Sequence, residues 1–246
     1  MEILGHRGAR GEAPENTLSG FRHLRDLGIR AVEFDIQVAG DGELMVIHDD
    51  RVDRTTAATG RLREFTVTQL NRMDACQHRR FLSADGLEYD WPCHDGIPSL
   101  RDVLALLADF SHLQLEVKAQ SPEDVAQVIQ RLPELWQPFG HHAVTTSFNS
   151  RYLQGIREAA PEIPRGLLVE SDFRGDLVQH AVDLGCISIG PHFSLCTAEL
   201  VADAHQAGLT VSTWTVNEAD DMLRLRDLGV DSIITDYPQK ALQVLA

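Results

Sequence analysis

The chain has 246 residues with 22 Lys plus Arg against 37 Asp plus Glu, a formal charge of -15. Its field therefore repels nucleic acid and anionic membranes, and any anionic ligand must be held by local positive charge. The length suits one large domain, residues 1–246, and Cys76, Cys93, Cys186 and Cys196 show neither a CxxC pair nor finger-like spacing, which argues against zinc or disulfide scaffolds.

The first segment, "MEILGHRGAR", has an acid at position 2 and no apolar run of signal-peptide length, and no later stretch approaches membrane-spanning length. The expectation is a cytoplasmic protein without stable membrane association, monomeric or homodimeric. Eight β-branched runs then recur: 2–6, 31–37, 113–118, 143–148, 166–170, 186–190, 209–216 and 232–236. Helical patterns alternate with them at 17–27, 100–110, 122–132, 150–159, 176–184, 197–207 and 218–228, with apolar residues every three or four positions. Several stop at a glycine: Gly28, Gly185, Gly208 and Gly229. Eight alternating βα units define an α/β chain and predict a (β/α)8 TIM barrel.

One segment exceeds this count. "LMVIHDD" (44–50) is strand-like and follows an Asp-Gly turn at 41–42, so it is expected as an extension beside strand two. Residues 51–99 are rich in turn formers, with a short helical pattern at 66–73, and are expected to form a small inserted cap after the second strand. Phe65, Leu70, Trp91 and Ile97 supply its apolar anchors.

The chemistry sits at strand ends. In "AVEFDIQ", alternation places Glu33, Asp35 and Gln37 on one face, which in a parallel barrel strand points inward. "LQLEVK" repeats the pattern with Gln114, Glu116 and Lys118. Burial of unpaired anions is costly, so Glu33, Asp35 and Glu116 either pair with Lys118 or hold a hard, oxygen-seeking divalent cation. Mg²⁺ or Ca²⁺ fits that donor set better than zinc, and Mn²⁺ is also compatible. His6 ends the first strand-like run and His48 ends "LMVIH", both beside the proposed metal site, where a pair of imidazoles can act as base and acid near neutrality. Arg7 and Lys118 supply local positive charge for a phosphate, although Arg7 could equally pair with Glu12 or Glu15.

The blocks "HRGARGEAPENT", "EFDIQVAGDGELMVIHDD", "DRTTAATG", "IPSLRDVL", "LEVK", "TSF", "STWTVN" and "DSIITDYP" resemble, in order, the signature of short, cytoplasmic bacterial-type glycerophosphodiester phosphodiesterases. The resemblance runs from residue 4 to about 240. It implies a TIM barrel with an insertion after the second strand, and hydrolysis of small-molecule glycerophosphodiesters to sn-glycerol 3-phosphate and an alcohol through a cyclic phosphate. It also implies that Glu33, Asp35 and Glu116 ligate one divalent cation, that His6 and His48 are the acid/base pair, and that Arg7 and Lys118 hold the phosphate. Phe148 and Trp214 fall at the family's aromatic positions, bordering the glycerol or the leaving alcohol, with core packing as the alternative for Phe148. Asn16 either orients the metal or phosphate or caps the following helix. The stretch 73–96 is longer and more histidine-rich than a minimal insertion, which leaves the leaving-group pocket open. A related barrel phosphodiesterase acting on lysophospholipids and a catalytically silent ligand-binding barrel are the competing readings.

Overall fold

The computed structural model describes all residues except 77–79, 83–86, 93 and 120, together with the side chains of 80 and 82. Its strands are β1 (Glu2–His6), β2 (Ala31–Val38), β3 (Leu44–Val46), β4 (Arg80–Leu82), β5 (Glu88–Asp90), β6 (His112–Val117), β7 (Ala143–Ser147), β8 (Arg165–Val169), β9 (Ser188–Pro191), β10 (Thr210–Thr213) and β11 (Ser232–Thr235). The helices are α1 (Leu18–Asp26), α2 (Val67–Leu70), α3 (Leu100–Leu106), α4 (Pro122–Trp136), α5 (Ser150–Ala159), α6 (Leu177–Asp183), α7 (Ala198–Gln206), α8 (Ala219–Leu228) and α9 (Pro238–Leu245). β1, β2 and β6–β11 form a parallel sheet that closes because β1 pairs with both β2 and β11. All eight predicted barrel strands are present. β10 stops at Thr213 rather than 216, although Val216 beyond it still donates its N–H to Ile234 O on the neighbouring strand.

The main core lies between the barrel wall and its helices. Phe34, on the outward face of β2, meets Phe21 edge-on at 5.8 Å between centroids and Trp136 at 6.3 Å. The helices begin where short polar side chains satisfy free backbone N–H groups: Thr17 caps α1, Ser121 caps α4 and Thr197 caps α7. α9 and the β4–β5 hairpin are elements that the sequence pattern did not reveal.

"LMVIHDD" does fold back on strand two, with β3 antiparallel to β2 and Ile36 opposite Val46. The segment that follows packs over its own apolar cluster of Met45, Ile47, Val52, Leu62, Leu70 and Ile97. It is stitched to the barrel by backbone bonds from Gly40 N to Phe65 O (2.8 Å) and from Val46 N to Pro98 O (2.9 Å). Of the expected anchors, Leu70 and Ile97 are buried and Phe65 packs against the same cluster. Trp91 instead reaches the barrel side, donating to Ser19 Oγ at 3.0 Å. Cys186 and Cys196 are buried free thiols, and Cys93 lies outside the described residues.

Candidate active site

The C-terminal ends of β1, β2 and β6 converge on a cavity of about 170 Å³ lined by His6, Arg7, Glu33, Glu116, Lys118 and Trp214, among others. Strand register sets this up. His6 lies beside Glu33 across the β1–β2 pair, and Asp35 beside Glu116 across the β2–β6 pair. Oxygens of Glu33, Asp35 and Glu116 lie within 4.8 Å of one another, and all three residues are buried.

Three carboxylates this close are not equivalent. Burial and repulsion from Asp35 and Glu116 hold Glu33 well above the usual carboxylate range. Burial raises Glu116 to about 7, against the pull of Lys118 Nζ at 2.6 Å. Asp35 is also desolvated, but Arg7 and Lys118 overcome that and keep it low. Its Oδ2 accepts from Asn16 Nδ2 at 2.9 Å, while Oδ1 is buried without a hydrogen bond. Two protonation-prone carboxyls beside Asp35, whose Oδ1 has only an ion pair to Lys118 Nζ at 3.4 Å, form an oxygen donor set suited to a hard divalent cation. Asn16 therefore orients a member of this cluster, while the helix cap is supplied by Thr17.

Arg7 reaches the cluster through an unusual backbone. Its φ of 52° lies in the left-handed region that side chains other than glycine rarely enter. That turn brings its N–H to 3.3 Å from Glu33 Oε2 and its Nε to 3.2 Å from Asp35 Oδ2. The loop needs room as well: a Cβ on Gly5 would stand 1.9 Å from Gly8 O. Arg7 also pairs with Glu15 at 2.9 Å, the pairing that the sequence offered as the alternative to a phosphate contact.

Each histidine is fixed at Nδ1 by an aspartate. His6 Nδ1 lies 2.6 Å from Asp236 Oδ1, and His48 Nδ1 lies 2.6 Å from Asp49 Oδ1. Burial raises Asp236, yet the His6 hydrogen bond and charge prevail and hold it below the usual range. An ionised Asp236 accepts, so His6 Nδ1 donates and Nε2, 3.9 Å from Glu33 Oε2, keeps its lone pair. Burial lowers the His6 imidazole further than Asp236 raises it, which favours the neutral form. Asp49 is likewise held low, its burial outweighed by hydrogen bonds from His48 and Arg54.

The aspartates belong to a longer network. Arg54 binds Asp49 through Nε and spans both oxygens of buried Glu15 at 2.8 and 2.7 Å. Glu15 in turn accepts from Arg7, so one chain of charge-assisted bonds joins the His48 side of the cavity to the Arg7 side. Asn217 donates to Asp236 Oδ2 at 2.9 Å. Phe148, one of the more exposed large apolar residues, stands edge-on to Trp214 at 5.4 Å, with Lys118 Nζ 5.9 Å from its ring. Trp214 is anchored by Nε1 donating to Gly190 O. All nine site residues expected from the sequence gather around this one end of the barrel.

A closed parallel barrel with paired histidines, clustered carboxylates and an arginine at its C-terminal mouth has the layout of a candidate phosphate-ester site. The family model for the glycerophosphoryl diester phosphodiesterase family matches residues 6–240, and the chain belongs to that family. A glycerophosphodiester phosphodiesterase of Caldanaerobacter subterraneus subsp. tengcongensis is 30% identical over 99% of this chain and 97% of its own. One from Bacillus subtilis is 27% identical over 96% of this chain and 83% of its own. An Oleispira antarctica phosphodiesterase, solved in complex with the product sn-glycerol-3-phosphate, superposes with a TM-score of 0.83 at 28% identity, covering 100% of this chain and 96% of that one. Among the described residues no helix is long and apolar enough to cross a membrane.

Proposed function

We propose that this enzyme cleaves glycerophosphodiesters to sn-glycerol 3-phosphate and an alcohol by metal-assisted acid–base catalysis in two steps, within one domain spanning 1–246. The observation that supports it most is the matched pair of Asp-fixed imidazoles flanking one cavity that is also lined by Glu33 and Glu116 of the carboxylate cluster and by Arg7, Arg10 and Lys118. Glu33, Asp35 and Glu116 would hold the divalent cation, Mg²⁺, Ca²⁺ or Mn²⁺. When bound, it supplies charge neutralisation at the phosphoryl group and acidifies a nearby hydroxyl.

The chain's own residues account for the proton traffic. Arg7 and Lys118 position the phosphodiester through its non-bridging oxygens, and Phe148 and Trp214 border the glycerol. His6 Nε2 removes the proton of the glycerol 2-hydroxyl as that oxygen bonds to phosphorus. The bond from phosphorus to the leaving oxygen breaks, and His48 Nε2 delivers a proton to it, leaving a five-membered cyclic phosphate. Water then opens the ring with the roles reversed: His48 takes a proton from water and His6 returns one to the 2-oxygen. Burial suits His6 to start as the neutral base, while the more open His48, its side chain 30% exposed, faces solvent and the departing group.

A coupled glycerol 3-phosphate assay over a panel of diesters, with chelation and metal add-back, tests the whole scheme. Product should appear only with a divalent cation, and full activity after exhaustive chelation would remove the metal from it.

The histidine roles separate by leaving group. His6→Ala should lose about 10²–10⁴-fold on every diester, whereas His48→Ala should lose that much in alcohol release from alkyl diesters and far less in nitrophenolate release from a nitrophenyl diester, whose anion departs unaided. Equal losses across the series would contradict the assignment.

Arg54 should share the His48 pattern. Arg54→Met leaves Asp49 without its second partner, so Asp49 orients His48 poorly, and alkyl diesters should slow by about tenfold while the nitrophenyl diester is nearly spared. A uniform loss would make Arg54 a purely structural residue.

A further inference from the structure

A second cavity of about 710 Å³ opens beside the first and shares His48 and Lys118 with it. One wall is the inserted segment at 61–64, and the other is the start of α4. Arg63 and Asp124 form an ion pair across the gap.

Most of the charge here is already committed. Asp124 also accepts from Ser121 Oγ at 2.6 Å, Glu64 accepts from the Arg61 backbone N–H at 3.0 Å, and Asp49 holds His48 and Arg54. The Asp50 carboxylate and the Arg61 guanidinium are exposed, and neither has an ion-pair or side-chain hydrogen-bond partner among the described residues. The groove thus offers one open acceptor and one open fork of donors.

Two other classes of alcohol match this lining poorly. A quaternary ammonium is recognised by aromatic faces, and apart from the His48 ring the groove has none. An acyl chain needs apolar walls, and here only Val38, Leu62 and Ala119 are apolar. A neutral polyol needs neither. Its neighbouring hydroxyls donate to a carboxylate and accept from a guanidinium, and the cavity lies in the range of roughly 300–1,000 Å³ that encloses a ring-sized ligand.

We infer that the groove between the inserted segment and α4 is the leaving-alcohol subsite, and that Asp50 and Arg61 select a polyhydroxylated ring alcohol. The inference rests on His48 as the group that protonates the leaving oxygen, because the groove begins at that residue.

The test compares kcat/KM for glycerophosphoinositol with that for glycerophosphocholine, followed by release of glycerol 3-phosphate. The expected ratio favours the inositol diester by about tenfold, as hydrogen bonds to charged groups would give. In Asp50→Ala and Arg61→Ala the ratio should fall by about fivefold. A wild-type ratio near one, or in favour of choline, would overturn the inference while leaving the reaction itself standing. A polyol preference that survives both substitutions would overturn the assignment to this groove. Failure to release glycerol 3-phosphate from either diester would remove the underlying reaction, and the subsite with it.

Discussion

Asp35→Asn is expected to abolish turnover and the response to divalent cations together. Asp35 is the one member of the triad held low at neutral pH, and its Oδ1 is the buried oxygen with no hydrogen bond. Loss of the cation forfeits several kcal/mol of transition-state stabilisation, which is roughly 10³-fold or more in rate. Activity alone cannot separate a ligand from a structural partner of Lys118, so thermal stability supplies the second readout. Wild-type Tm should rise with added Mg²⁺ or Ca²⁺, because a ligand that binds only the native state stabilises it by mass action. The variant's Tm should not respond. A variant that melts far lower in chelator yet still gains Tm with cation would make Asp35 a partner of Lys118 rather than a ligand.

The same triad sets a pH dependence in chelator. Glu33 and Glu116 bind protons more tightly folded than unfolded, so their contribution to stability is complete below the unfolded value of 4.5. It is lost as pH rises through the folded value, about 7 for Glu116. Apo-protein stability should therefore decline over that interval, and saturating cation should flatten the decline by neutralising the buried charge. Asp35 acts in the opposite direction but at lower pH, since its folded value lies below 3.8.

Much of this site was legible because barrel strands obey a simple rule. Alternation in 31–37 and 113–118 fixes which residues point inward, and parallel register then puts Asp35 next to Glu116. The residues that were missed are joined by tertiary closure alone. Asp236 lies 230 positions from His6 and meets it only because β11 pairs with β1. Its signal was the Asp at the end of "SIITD", at the same end of the barrel as His6. The Glu15–Arg54–Asp49 chain was hidden differently. Each member looks like a loop charge, and only the fold of the inserted segment brings Arg54 back to buried Glu15. Asp49 had the clearest cue, standing directly after His48. The β4–β5 hairpin escaped notice because its strands are three residues each, too short for alternation to register.

A 2-deoxy or 2-O-methyl glycerophosphodiester is expected to bind and resist cleavage. Arg7, Lys118 and the carboxylate-held cation would contact the phosphodiester group, which the analogue keeps, so it should compete with substrate at a Ki near the substrate's own affinity. What it lacks is the nucleophile. Direct attack by water makes the opposite forecast, because water needs nothing from the glycerol. Proximity favours the internal route, since a well-oriented neighbouring hydroxyl acts at an effective concentration on the order of 10⁵ M or more. The base proposed for that route is His6, fixed by Asp236 on the buried side, with its Nε2 3.9 Å from Glu33 Oε2. Phosphorus NMR during turnover should show the cyclic phosphate, most clearly when His48→Ala acts on a nitrophenyl glycerophosphodiester, where ring formation is spared and ring opening is slowed. Rapid cleavage of the 2-deoxy analogue would exclude the internal nucleophile. His6 would then have to deprotonate water, and the leaving-group test of His48 would stand unchanged.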